Sequence, residues 1–261
     1  IMKFIKYSIA LITCLALSVP AMAQRSTRSQ GEVPPPKTKK AAQEQTVPHR
    51  SKKRSPQNTG VVAGQIRPRV FLNPGHGGHD SDDRPCPFYN EGMQARVEYY
   101  ESDSNLKGAM AMKDILRSRG YEVFMSRVNN TTDDDLNLFE IHQLALNSGA
   151  DVFFAVHSNS SGSATRRVNF PFAIYRGYDG GGTAEGSEEL AGIVASNLAD
   201  CEATSWSRGG LTHGDWSFYR NRSGLGVFRW NKLPGILVEN CFHDYQIERE
   251  RLLNKDYCGL L

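Results

Sequence analysis

Four side chains in the sequence have the types that metal-assisted hydrolysis needs: His76, Glu101, His157 and Glu239. A hydrolytic zinc ion takes three His or carboxylate ligands and keeps one position open for water. His76 lies in the turn Asn73-Pro74-Gly75-His76-Gly77-Gly78-His79-Asp80, whose glycines allow the tight backbone approach a metal loop requires. His157 follows the apolar run Ala150 to Val156, and Glu239 follows the run Gly235 to Val238. Taken singly, each has an ordinary alternative. An H-x-x-H-D cluster is more often not a metal site, a His after a buried strand is more often a hydrogen-bonded core residue, and a strand-end acid can be salt-bridged. Glu101 is harder to dismiss. A helix beginning there puts it on one stripe with Asn105, Ala109, Met112 and Leu116. Turning an unpaired carboxylate inward costs on the order of several kcal/mol unless a cation or donor meets it.

The elements that must position these residues alternate in type. Arg69 to Asn73 reads as a short strand running into the glycine-rich turn, and Glu101 to Arg119 as a helix stopped by Gly120. Tyr121 to Ser126 is the next strand, and Leu136 to Ser148 a second helix with Asp133-Asp134-Asp135 at its positive end. Ala150 to Val156 has the continuous apolar character of a strand covered on both faces and delivers His157-Ser158-Asn159 at its carboxyl end. Phe172 to Tyr175 is a further strand, Ser187 to Leu198 a helix, and Gly235 to Val238 a last buried strand. This order predicts a three-layer α/β sandwich with a largely parallel central sheet flanked by helices. Such folds place ligands at the carboxyl ends of their strands, where His76, His157 and Glu239 fall.

The start of the chain reads differently. Lys3 and Lys6 flank a short cationic stretch, Ser8 to Val19 is an apolar run of twelve residues, and Ala21-Met22-Ala23 supplies a small-x-small cleavage pattern. Twelve residues are too few to span a hydrocarbon core, which needs roughly 20. Residues 1–23 are therefore expected to be a cleaved signal peptide, with Cys14 raising a lipoprotein alternative that the preceding Thr13 disfavours. The protein is expected to be exported to the periplasm or cell envelope, without a transmembrane segment once the signal is gone. Residues 24–66 carry nine Lys/Arg against two acids, with Pro34-Pro35-Pro36 and almost nothing apolar. That composition predicts a disordered basic tether, either a solvated spacer or a means of attraction to an anionic surface. The remaining chain, 67–261, carries a net charge of −6 within a total of +3. A nucleic-acid enzyme would carry positive charge on its folded face, so no nucleic-acid partner is expected. Cys86, Cys201, Cys241 and Cys258 contain no C-x-x-C spacing, and their pairing stays open.

Taken together, the Asn73 to Asp80 loop, Glu101 with Asn105-Leu106, Ala150-Asp151 through His157-Ser158-Asn159, and Leu237-Val238-Glu239-Asn240-Cys241-Phe242 resemble the zinc-dependent N-acetylmuramoyl-L-alanine amidases. The resemblance is to the type that pairs a D/N-P-G-H-G-G loop with a late L-V-E strand, and it covers residues 68 to 258. It implies His76, Glu101 and His157 as ligands of Zn2+ and Glu239 as the catalytic carboxylate. It also implies peptidoglycan or a muropeptide as substrate, cut between the lactyl group of muramic acid and L-alanine, and leaves open whether an activator protein takes part. A zinc peptidase on another amide, or a catalytically silent wall-binding module, are the alternatives. The retained Glu239 speaks against the last.

Other histidines read as weaker candidates. His79 occupies a variable loop position that can face substrate or zinc, while His142, His213 and His243 read as surface or locally bonded. His213, near Trp206 and Trp216, is the best placed of these three for glycan or peptide contact. Three features depart from the family. The stretch from Ser81 to Tyr100 is longer than the minimal loop and can shape substrate binding or cover the zinc. Ile141 to Leu146 lacks an arginine the family shows there. The chain stops at Leu261, short of the family's closing helix, which allows that the sequence is a fragment. Because the tether has no apolar content with which to pack on the domain, deleting Gln24 to Ile66 is expected to leave hydrolysis of a small soluble muropeptide nearly unchanged. Rates of the full and shortened chains test this, and a large loss would show that the segment belongs to the active site.

Overall fold

Strand β1 (Val70–Pro74) is buried along its whole length because it has parallel neighbours on both sides, β4 (Val123–Met125) and β5 (Val152–Asn159). Strand β8 (Gly235–Phe242), equally buried, pairs in parallel with β5. Beyond it β6 (Phe172–Tyr175) runs antiparallel to β8, and β7 (Leu211–Gly214) runs parallel to β6. The six-stranded order is therefore β4-β1-β5-β8-β6-β7, a largely parallel sheet whose last two strands are reversed. This computed structural model describes residues 67–254, apart from 81, 84, 163–167, 178–184, 201–210 and 216–223. The expected signal peptide, the basic tether, Cys201, Cys258, Trp206 and Trp216 lie outside the described residues.

The continuous apolar runs follow from burial on both faces. On one face Leu72, Phe154, Val156, Ile236 and Val238 pack with Ala109 of α1 (Glu101–Ser118) and with Ala191 and Ala195 of α3 (Ser187–Asp200). On the other, Phe71, Phe153, Phe172, Ile174 and Leu237 pack with Ile141 and Ala145 of α2 (Leu138–Ser148) and with Val227 and Phe228. The expected three-layer α/β sandwich is the observed fold. Among the described residues no helix is long and apolar enough to cross a membrane.

Three elements depart from the sequence reading. Helix α2 begins at Leu138 and not at Leu136, because Asn137 caps it by accepting the Phe139 and Glu140 backbone amides while the Asn137 backbone amide donates to the Glu140 carboxylate. Asp133 and Asp134 instead belong to a separate 3-10 turn, Thr132–Asp134. Strand β5 continues through His157 to Asn159, so that histidine is on the strand and not past it. The stretch after Ser81 contains an antiparallel hairpin, β2 (Phe88–Asn90) with β3 (Ala95–Val97). Phe88 and Tyr99 join Cys241 and Leu252 in a small apolar cluster beneath it, and Leu252 belongs to a short final helix, α4 (Gln246–Leu252).

His142 is a core residue of α2. It is 1% exposed, its Nε2 meets the Val227 carbonyl oxygen, and burial holds its pKa below the ordinary 6.5. The folded protein thus accepts this proton less readily than the unfolded chain. Stability from the neutral ring is complete above pH 6.5 and is lost as pH falls below it toward the depressed value. His142→Gln keeps an N–H donor and removes the titration. The melting-temperature advantage of wild type over this variant is expected to shrink between about pH 7.5 and about pH 5, and an advantage constant with pH would show that His142 does not titrate on unfolding.

Candidate metal centre

Three elements bring their functional residues to the carboxyl end of the parallel strands. Strand β1 leads into the glycine-rich loop, where the Gly75 amide donates to the Val156 carbonyl at 2.9 Å and His76 adopts a positive φ of 58°. Gly75 lies so close to the His157 imidazole that a Cβ there would be driven into the ring. Helix α1 begins at Glu101 without a side-chain cap from Tyr100. Its cap comes from a distance: Asp83, 2% exposed, accepts the Glu101 and Ser102 amides at 3.0 Å each. A carboxylate at a helix N-terminus satisfies orphan donors and faces the positive end of the dipole, and here it also fixes where Glu101 stands.

The Glu101 carboxylate bridges two histidines, with Oε1 3.0 Å from His157 Nδ1 and Oε2 3.3 Å from His76 Nε2. One ligand atom from each of His76, Glu101 and His157 falls within 4.8 Å of the other two. Two imidazole nitrogens and one carboxylate oxygen are the donor set a hydrolytic zinc takes, and their convergence leaves one ion of that size within reach of all three. Oε1 also accepts the Ser158 amide at 3.0 Å and Asn105 Nδ2 at 3.1 Å. Asp82 Oδ2 stands 3.5 Å from His76 Nδ1, a long ion pair to a nitrogen that has no hydrogen-bond partner among the described residues.

The electrostatics favour a cation. Burial pushes the Glu101 pKa up, but the bonds to His157 and His76 and their charge more than offset it and hold the group well below the carboxylate range. Burial likewise disfavours charge on His76, yet Asp82 and Glu101 raise its pKa to about 11. Glu101 and Asp82 thus stabilise positive charge placed between them, on the imidazole or on an ion. Glu239 behaves in the opposite sense. It is 7% exposed, its Oε2 has no hydrogen-bond partner among the described residues, and burial together with repulsion from Glu101 pushes its pKa well up. It is the direct cross-strand neighbour of His157, on β8 beside β5, and is not one of the three converging groups.

The remaining histidines separate clearly. His79 turns from the centre to bond Asp103 at 3.0 Å and stacks on Tyr100, the ring centroids 3.6 Å apart. His243 is closer than its sequence context suggests, with Nδ1 3.0 Å from Ser158 Oγ and 4.0 Å from Glu101 Oε2. The backbone of His213 lies in β7 opposite Ile174; its side chain is outside the described residues. Sequence reasoning missed Asp82 and Asp83, because nothing in a run of loop acids tells which one turns inward.

An α/β sandwich with a His/Glu/His cluster at the ends of its parallel strands defines the class. A protein-family profile described as N-acetylmuramoyl-L-alanine amidase matches residues 70–259. The chain belongs to that family. It is 27% identical over 190 residues to a sporulation-specific N-acetylmuramoyl-L-alanine amidase of Bacillus subtilis, covering 72% of this chain and 62% of the relative. It is 26% identical over 187 residues to the N-acetylmuramoyl-L-alanine amidase CwlM of Bacillus licheniformis, covering 70% and 60% respectively. The chain thus spans less than two thirds of these relatives. The solved N-acetylmuramoyl-L-alanine amidase from Clostridium difficile 630 superimposes with a TM-score of 0.57 at 26% identity, over 74% of this chain and 89% of that one.

Because Gly75 has no room for a Cβ against His157, Gly75→Ala is expected to displace that imidazole, break up the convergence of His76, Glu101 and His157, and retain less added zinc than wild type while the fold survives. Metal analysis beside circular dichroism measures this, with His157→Ala in parallel. Undiminished zinc in His157→Ala would remove that residue from the ligand set.

Proposed function

We propose that the domain is a zinc-dependent N-acetylmuramoyl-L-alanine amidase, exported to the periplasm or cell envelope, that cleaves the amide between N-acetylmuramic acid and the L-alanine of the stem peptide. One observation carries the reading. Three metal-type donors converge beside a buried carboxylate whose Oε2 has no hydrogen-bond partner among the described residues, on a chain of the amidase family. His76, Glu101 and His157 would hold the ion, with the Asp82 carboxylate facing the far side of His76. Zinc, when bound, supplies Lewis acidity, which brings the pKa of water down to about 7 and polarises an amide carbonyl.

The other steps belong to the chain. Glu239, rigid in β8 and largely shielded from solvent, takes the proton from the attacking water and returns it to the nitrogen of L-alanine as the C–N bond breaks. For this it must be ionised at the start. Burial opposes that, and so does the negative charge of Glu101; a cation held by Glu101 cancels the second effect. The free Oε2 is the acceptor this role requires.

Glu239→Gln preserves shape and removes the proton acceptor. General acid–base catalysis contributes on the order of 10² to 10⁴ in rate, so the variant should keep its zinc and lose at least about two orders of magnitude in turnover. The assay is release of L-alanine amino termini from purified peptidoglycan with the glycan intact. Loss of zinc would make Glu239 a ligand, and full activity would refute the proposed mechanism. Products other than L-alanine termini would point to a different amide substrate.

A further inference from the structure

We infer that Arg127 is a positioning residue of the metal centre, whose guanidinium fastens the loop carrying His76 to the helix carrying Glu101. The inference rests on the reading of His76, Glu101 and His157 as metal ligands. Arg127 follows β4, is 3% exposed, and sends its hydrogen bonds to acceptors other than the side chains of those three residues. Its Nε donates to the Pro74 carbonyl at 3.3 Å, and its Nη2 to the carbonyls of Gly75 and Ser102 at 3.0 Å each. Its Nη1 donates to the Asn129 carbonyl and to Asn130 Oδ1, also at 3.0 Å each. Gly75 and Ser102 are the chain neighbours of His76 and Glu101. One planar group therefore grips the backbone next to two ligands that are 25 residues apart in sequence.

Neighbouring amides extend the same fastening. Asn105 Nδ2 meets the Gly75 carbonyl at 3.3 Å and Glu101 Oε1 at 3.1 Å. Asn130 Oδ1 accepts the Gly78 amide at 2.9 Å, while its Nδ2 reaches Ser102 Oγ at 2.9 Å and Asp103 Oδ1 at 2.6 Å. The five acceptors of Arg127 are all uncharged oxygens on the loop, the helix and the Asn129 turn, and the charges of Asp134, Asp135, Asp83 and Asp103 favour the cation from farther away. Only the guanidinium fork offers five donors in fixed directions; an ammonium has three about a single point and cannot reach the loop, the helix and the Asn129 turn together. Burial lowers the Arg127 pKa to about 10, which leaves it charged at neutral pH. Groups that orient metal ligands from behind typically change metal affinity 10- to 100-fold when lost.

The test uses the full chain as wild type, Arg127→Lys, Arg127→Ala and Arg117→Lys. Arg117 donates to the Val123 carbonyl at 2.8 Å, away from the loop, and serves as control. Zinc affinity is measured by competition with a chelator, and the visible absorption of the cobalt-substituted protein reports ligand geometry. Arg127→Lys is expected to bind zinc about 10- to 100-fold more weakly and to show an altered cobalt spectrum, while Arg117→Lys matches wild type. A purely structural role would lower the melting temperature of the metal-free protein and leave zinc affinity and the cobalt spectrum unchanged, which would overturn the inference. Should Arg127→Ala fail to fold, Arg127→Lys decides alone. If wild type itself bound no zinc, the ligand assignment would fall and the inference with it.

Discussion

The negative charge of Glu101 is the constraint around which this end of the molecule is organised. A carboxylate 13% exposed at the tip of a packed helix is tolerable only if its oxygens are met from several directions. They are met by β1 through His76, by β5 through His157 and the Ser158 amide, and by its own helix through Asn105. These four groups come from three segments, so satisfying one charge fixes the mutual position of three. The parallel register of β1 with β5 and of β5 with β8 then sets how far His157 stands from Glu239. The sheet provides the frame and the buried acid provides the alignment.

The strands and the residues that converge at their ends were legible in the sequence for the same reason. Interior parallel strands must be apolar on both faces, so Val152 to Val156 and Gly235 to Val238 stand out, and polar residues ending such runs stand out against them. Glu101 was legible as an acid on an apolar helical stripe. What was not legible depends on pairing across distance. Asp83 caps a helix that begins 18 residues later, and no local pattern links the two. Arg127 looks like any loop arginine until the Gly75 and Ser102 carbonyls are seen to face it. The reversal of β6 and β7 is likewise a property of the connections, since a four-residue apolar strand reads identically in either direction. His79 and His243 show the same limit at single residues: the histidine inside the motif turns away to Asp103, while the one after the last strand comes to within 4.0 Å of Glu101.

The excursion between the first two donor residues has a closed neck. Asp83 is bonded to the start of α1, and the Cys86 amide donates to the Tyr99 carbonyl at 2.8 Å. Above the neck Phe88 is packed against Tyr99 and Leu252, Arg249 of α4 donates to Cys86 Sγ at 2.8 Å, and Gln246 reaches the Tyr89 carbonyl at 3.3 Å. Only the tip, with Tyr89 and Met93 exposed, stands clear.

A neck tied this way separates the history of the hairpin from that of the centre. Because the ends are already held together, adding or removing residues at the tip changes the closure entropy only slowly, about 0.6 kcal/mol for each doubling of loop length. The turn Glu91 to Gln94 can thus drift in length and composition while Asp83 and Glu101 keep their places. The hairpin is therefore a mechanically separable surface, whose tip can be lengthened or shortened without moving the residues beneath it.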